Sequence, residues 1–265
     1  MKTTAFLICF KGIAKREILR FFQQRERFLA ALIRPLFWLL VFTAGFRAAL
    51  GVSIIPPYET YITYEVYITP GLIGMIQLFN GMQSSLSMIY DREMGSMRVL
   101  MTSPMPRWFL LISKLLAGTS VSIIQVYVFL GIAYLFEIEA PAMGYLALLP
   151  VLIVTGLMLG ALGMLLSATV RQLENFAGIM NFVIFPMFFL SSALYPLWKI
   201  GESSPLLKQI CELNPFTYAV ESIRFALYQQ FNETAFFITV MAGALFLLLA
   251  VRGYKIKMGT NDDIS

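Results

Sequence analysis

Six apolar stretches divide this chain, each about as long as the ~20 residues that a helix needs to cross a bilayer. They cover residues 28–50, 68–89, 109–136, 144–168, 175–195 and 235–252. The chain is 58% hydrophobic and 13% charged, against about 45–50% and about 25% in soluble domains. The expected fold is an all-α membrane protein with six transmembrane helices. In the first stretch Arg34 and Arg47 bound a purely apolar run, and both are expected to snorkel toward opposite interfaces. No internal repeat and no long linker is evident, so residues 1–265 read as a single transmembrane domain.

Orientation follows from the basic residues. With the N-terminus inside, Lys2, Lys11, Lys15, Arg16, Arg20, Arg25, Arg27, Arg34, Arg92, Arg98, Arg107, Lys114, Arg171, Arg252, Lys255 and Lys257 fall on the inner side. Only Arg47, Lys199, Lys208 and Arg224 fall outside. Both termini are therefore expected in the cytoplasm. The net charge of +5 belongs to this bias and calls for a lipid bilayer, with no nucleic-acid partner. Phe6 to Phe10 is too short for a cleavable signal, so the first span is expected to act as its own insertion signal. Cys9 and Cys211 then lie on opposite faces, and no disulfide is expected.

Between the second and third stretches runs Tyr90-Asp91-Arg92-Glu93-Met94-Gly95-Ser96-Met97-Arg98-Val99-Leu100, closed by Thr102-Ser103-Pro104-Met105-Pro106-Arg107. Asp91, Arg92, Glu93 and Arg98 would each cost on the order of several kcal/mol at bilayer depth. Segment 90–107 must therefore lie on a membrane face, here the cytoplasmic one, where its size suits a helix docked on a soluble partner. Phe6, Phe10, Ile13, Ala14, Ile18, Phe21 and Phe22 recur at helical spacing, with Lys11, Lys15, Arg16 and Arg20 on other faces. Residues 1–27 read as an interfacial amphipathic helix, either a generic anchor or a gating element.

Segment 196–230 is too long for a turn and too polar to span. Ser203-Ser204-Pro205 marks a helix start, Asn214-Pro215 breaks that helix, and residues 216–228 form a second. The pair reads as a re-entrant outer hairpin carrying Asn214, Pro215, Glu221 and Arg224. Such backbone is tolerated only against protein or a wet cavity.

Gln77, Asn80, Ser84 and Ser87 are spaced by three, four and three, which places them on one stripe of the second span. The stripe serves either interhelical hydrogen bonding or a water-filled path. Gly156, Gly160, Gly163 and Ser167 form a small-residue face for close helix packing. Tyr58, Tyr61, Tyr64 and Tyr67 read as an interfacial aromatic belt. Histidine is absent, and there is no GxxxxGK[ST], HExxH, CxxC or GxSxG. No catalytic, cofactor-binding or metal-ligating set is expected on this chain.

Four ordered pieces carry a resemblance. Tyr67-Ile68-Thr69-Pro70-Gly71-Leu72 opens span two. Residues 92–100 lead to Ser103-Pro104 and Lys114. Phe185-Pro186-Met187-Phe188-Phe189-Leu190-Ser191-Ser192 with Tyr195-Pro196 ends span five. Leu213-Asn214-Pro215-Phe216-Thr217-Tyr218 leads to Glu221 and Arg224. Over nearly its whole length the chain resembles the permease subunit of type-2 ATP-binding-cassette (ABC) exporters. It departs at Ser192, where family members often carry Gly.

That resemblance implies a bacterial-type inner-membrane subunit working as a homodimer or paired permease, with a separate ABC ATPase subunit below it. ATP and Mg would bind the ATPase. The 90–107 loop would be the coupling helix, with Asp91, Arg92, Glu93, Met94 and Arg98 at the interface. The chain itself would be no enzyme. Two other readings stay open: an ATP-independent secondary transporter or channel, which would want inverted repeats or ionisable groups at mid-span, and a membrane-embedded enzyme, which would need clustered His, Asp or Glu.

Overall fold

The computed structural model describes residues 3–23, 25–46, 56–58, 62–94, 106–170 and 173–259. Among these described residues there are ten helices and no strand. In chain order they are α1 (Thr3–Gln23), α2 (Arg25–Phe46), α3 (Tyr64–Glu93), α4 (Arg107–Leu135), α5 (Ala142–Thr169), α6 (Leu173–Phe189), α7 (Leu197–Ser203), α8 (Pro205–Leu213), α9 (Pro215–Leu227) and α10 (Glu233–Gly259). The described part of each expected apolar stretch lies mainly on one helix: α2, α3, α4, α5, α6 or α10. Among the described residues three segments are long and apolar enough to cross a membrane: Trp108–Leu135, Ala142–Thr169 and Glu233–Tyr254. α2 and α6 carry shorter apolar cores, Leu32–Val41 and Gly178–Phe189.

α3 is the central helix, packed against α2, α4, α5, α6 and α9. Tyr67, Ile68, Leu72, Ile73, Leu78 and Met82 along it are fully buried. Between helices in lipid the hydrophobic drive is weak, because acyl chains are as apolar as Leu; close packing and polar contacts must hold the bundle instead. Small residues provide that closeness. A Cβ added at Gly163 would lie 2.5 Å from Ser85 Oγ and 2.7 Å from the Gly81 carbonyl oxygen, so α3 and α5 touch through their backbones. At Gly160 it would lie 2.5 Å from the Leu115 side chain of α4. The expected small-residue face of α5 is thus filled by two neighbouring helices.

The expected span 175–195 stops early, because α6 ends at Phe189. Side chains take up the carbonyls that a helix end leaves open. Ser191 Oγ donates to the Phe188 carbonyl at 2.6 Å, and Asn214 Nδ2 donates to those of Met187 and Leu190 at 2.8 and 2.6 Å. The chain then turns, and α7, which the sequence reading missed, begins behind Pro196. The expected pair of short helices follows as α8 and α9. Ser204 and Asn214 are their N-caps, each followed by Pro at the first helical position, where the missing N–H costs nothing.

The tyrosine belt is not observed. Tyr58, Tyr64 and Tyr67 are buried, and the hydroxyls of Tyr64 and Tyr67 donate to the carbonyls of Leu194 and Ser192 at 2.9 and 3.0 Å. They bond the start of α3 to the chain turning between α6 and α7. Tyr61 and the end of the first stretch, 47–50, lie outside the described residues. α1 lies along the start of α4, with the Phe6 and Phe109 rings edge to face at 4.8 Å. Leu7, Ile8 and Leu19 remain exposed on it.

A Cβ at Gly71 would sit 2.5 Å from the Ala193 carbonyl oxygen, and backbone cannot swing aside as a flexible side chain does. Gly71→Ala is expected to lower stability by about 1–3 kcal/mol through overpacking. Gly178→Ala, with open space at that position, is expected to be neutral or to gain up to about 1 kcal/mol of helix propensity. Thermal unfolding of the two purified variants in one detergent checks the contrast.

Candidate functional site

The last turn of α3 carries the charged residues that open the 90–107 segment. Asp91 is only 4% exposed. Its Oδ2 accepts from Lys114 Nζ of α4 at 2.6 Å, and its Oδ1 accepts from Arg16 Nη2 of α1 at 3.1 Å. Arg20 Nη1 approaches the same Oδ1 at 3.7 Å. Burial by itself raises a carboxyl pKa, but Lys114, Arg16 and Arg20 outweigh it and hold Asp91 below the ordinary carboxylate value.

Arg92 points the other way. Its Nη2 donates to the Val170 carbonyl at 2.7 Å and its Nη1 to that of Ser167 at 3.4 Å. Those oxygens close α5, where a cation is favoured by both hydrogen bonding and the helix dipole. Ser167 Oγ is also 2.7 Å from Tyr254 Oη of α10. Glu93 and Met94 are exposed. Arg98 lies outside the described residues, as do all of 95–105. Of the expected interface set, then, Asp91 faces the bundle, Arg92 braces α5, and Glu93 and Met94 stand at the surface.

Lys114 and Arg16 had no place in the expected site. The signal was present: a lone Lys inside an apolar run needs a counter-ion, and Asp91 is the acidic residue at the end of the neighbouring span.

The polar stripe of α3 divides by burial. Gln77 is buried; its Nε2 donates to the Leu152 carbonyl at 2.8 Å and its Oε1 accepts from Thr155 Oγ1 at 2.6 Å, both on α5. The Asn80 amide donates to Gln125 Oε1 of α4. Ser84 packs beside Gly118 of α4, where an added Cβ would lie 3.1 Å from the Ser84 hydroxyl oxygen. Ser87 is buried, and its hydroxyl has no hydrogen-bond partner among the described residues. The bonds made by Gln77 and Asn80 are those that the interhelical reading requires. Gln125, the partner of Asn80, carried no mark of its role in the sequence.

At the opposite end of α3, Arg224 of α9 is 2% exposed. It pairs with Glu221 one turn back, its Nη2 donates to the Ser192 carbonyl at 2.8 Å, and its guanidinium lies 4.2 Å over the Tyr67 ring. A buried charge is tolerated only with such compensation. Asn214 caps α9 through Phe216 N (3.0 Å) while its amide holds the end of α6, and Pro215 starts α9. These four residues fasten α9 to α3 and α6.

The family description "ABC-2 type transporter" matches residues 9–228. A protein of Porphyra purpurea named as a transport permease, ycf38, is 30% identical over 218 residues, covering 81% of this chain and 72% of that protein. The Cyanophora paradoxa ycf38 is 29% identical over 256 residues, covering 90% and 83%. YbhR of Escherichia coli (strain K12), named as a multidrug ABC transporter permease, is 29% identical over 165 residues, covering 61% of this chain and 43% of YbhR.

Asp91→Asn leaves buried Lys114 without its counter-charge and is expected to destabilise the fold by about 3–5 kcal/mol. Asp91→Leu combined with Lys114→Met is expected to recover much of that loss. A carboxyl with a lowered folded pKa contributes stability above its unfolded pKa and loses it as pH falls through the folded value. Wild type is therefore expected to weaken below about pH 4, the ordinary Asp value, more steeply than the Asp91→Asn variant. Melting curves across pH check both expectations.

Proposed function

Because the chain belongs to the ABC-2 type transporter family, we propose that it is the permease subunit of an ATP-driven exporter. In this reading it forms the translocation path and takes work from a separate ABC ATPase. One observation carries the reading within the fold. The final turn of α3 is held by α1, α4 and α5 while Glu93 and Met94 stay exposed, so the turn is both rigid and present at the protein surface.

That geometry supports the following mechanism. Two permease copies, identical or paired, assemble over two ATPase subunits that bind ATP and Mg. Segment 90–107 rests in a groove of each ATPase, with Arg92, Glu93, Met94 and Arg98 at or near the contact and Asp91 beneath it. ATP binding closes the ATPases and carries both turns inward. Closure biases the two permease halves only through contacts that differ between the open and closed states. Because Asp91 and Arg92 tie the turn to α1, α4 and α5, displacement reaches those helices together.

The basic bias supports a cytoplasmic position for this end of α3 and for both termini, and membership of the family supports a bacterial-type cytoplasmic membrane. Six spans, α2, α3, α4, α5, α6 and α10, cross it. α1 lies in the inner interface, and α8–α9 form the outer re-entrant hairpin of one domain covering 1–265. Of the stripe Gln77, Asn80, Ser84 and Ser87, the buried Gln77 and Ser87 support the path from behind, and the half-exposed Asn80 and Ser84 are the better placed to meet cargo. The names of the relatives, transport permease and multidrug ABC transporter permease, support transport over catalysis.

Glu93→Arg is expected to leave membrane insertion intact and to uncouple ATP hydrolysis from transport, cutting transport by about tenfold or more, as for a reversed charge at a docking contact. Co-expression with the partner ATPase, purification in mild detergent, and parallel assays of hydrolysis and vesicle transport test it. Unchanged transport with coupled hydrolysis in the variant, or failure of any ATPase to copurify with wild type, argues against this function.

A further inference from the structure

Arg34 does not snorkel to the end of its helix. Its guanidinium lies 3.9 Å over the ring of Phe79 on α3. Phe79 is twelve residues from Tyr67, beside the buried Arg224, and twelve from Asp91. At 1.5 Å per residue it stands about 18 Å from each. The two ends of α3 are therefore marked by compensated charges, and Arg34 sits halfway between them. A ring face attracts a guanidinium but does not neutralise it.

Among the described residues no carboxylate lies within ion-pairing distance of Arg34 and no hydrogen-bond acceptor is seen to engage it. The sequence extends the point further. None of the six apolar stretches contains a single Asp or Glu, so neither this chain nor a second copy supplies a counter-charge within the membrane. Arg34 is nonetheless exposed on the protomer. A charge facing acyl chains at mid-depth is expensive, and ionisable residues in spans accordingly line interiors and ligand paths. Asn80 and Gln83, next to Phe79 and one turn further along α3, are half exposed and polar.

We infer that Arg34 is the anion-recognising residue of the path, and that the cargo is an amphiphile bearing a phosphate or carboxylate group. This deepens, and rests on, the transport role proposed above. The acyl part of such a molecule would meet the exposed apolar face of α2, where Ile33, Phe37 and Leu40 stand. The anionic group would take the open edge of the Arg34 guanidinium while Phe79 holds its plane. Arg suits this task because its planar fork keeps its charge and pairs with two oxygens at once.

The test uses the full-length chain alone, purified in a neutral detergent, with Trp38 emission as the readout. Trp38 is one turn beyond Arg34 on α2, and Trp38→Phe identifies its share of the signal. Dodecyl phosphate is the probe, with dodecyltrimethylammonium and sodium phosphate as comparisons. Dodecyl phosphate is expected to bind wild type about tenfold more tightly than Arg34→Gln, the factor that about 1.4 kcal/mol of lost pairing gives. Arg34→Lys, which keeps the charge but not the planar fork, is expected to bind more weakly than wild type and more tightly than Arg34→Gln. The ammonium amphiphile should not distinguish the variants, and sodium phosphate alone should leave the emission unchanged.

Equal binding of dodecyl phosphate by wild type and Arg34→Gln overturns the proposal, as does an equal loss in folded Arg34→Lys. Should Arg34→Gln fail to fold, wild type decides alone: no preference for the phosphate over the ammonium amphiphile overturns it. Binding of sodium phosphate as tight as that of dodecyl phosphate overturns the amphiphile assignment. No ATPase takes part in this titration, so its failure is distinct from a failure of the Glu93→Arg test.

Discussion

Hydrocarbon gives a polar group nothing to bond to, and the arrangement around α3 follows from that constraint. α3 carries more polar side chains than the apolar helices beside it, and each neighbour answers some of them. α5 takes both ends of Gln77, and α4 takes Asn80. The turn after α6 takes the hydroxyls of Tyr64 and Tyr67. A helix so supplied need not be strongly apolar to be buried. α10 shows the converse: its exposed Phe237, Met241, Leu245 and Leu248 need no partner other than lipid or a second apolar surface.

Close approach and polar bonding depend on each other here. Gln77 reaches the Leu152 carbonyl because Gly81 and Gly163 let the two backbones meet a turn or so away. A larger residue at either glycine would push α5 outward and lengthen every bond between the helices. Individual interhelical hydrogen bonds in membranes are worth only about 1 kcal/mol, so this stability is distributed over many contacts. The charged ends are different, since one lost partner there strands a buried charge.

Much of the helical layout was legible because it rests on local chemistry. Apolar run length located six of the long helices, and Ser204-Pro205 and Asn214-Pro215 located the starts of α8 and α9. What could not be read was the direction in which a given side chain points when its partner is far along the chain. Asp91 looked like a surface charge until Lys114 and Arg16, 23 and 75 residues away, claimed both oxygens. Tyr64 looked interfacial, but its acceptor is 130 residues away. The early end of α6 depended on Asn214, a residue whose local role as an N-cap was plain while its amide's reach to Leu190 was not. Arg34 misled for a related reason: snorkelling is the default for a long cation near a helix end, and a ring on another helix diverted it.

Asp91 and Arg92 are adjacent in sequence and face opposite sides of one helical turn. The first gathers α1 and α4, and the second gathers the end of α5, which Ser167 and Tyr254 in turn join to α10. Five helices thus meet within a few residues, as the members of a truss meet at a joint. A twist applied there cannot spin α3 about its own axis without dragging the others. The motion left to this end of the molecule is tilting as one block, and any bending must occur further along, where no ion pair ties α3 to its neighbours among the described residues.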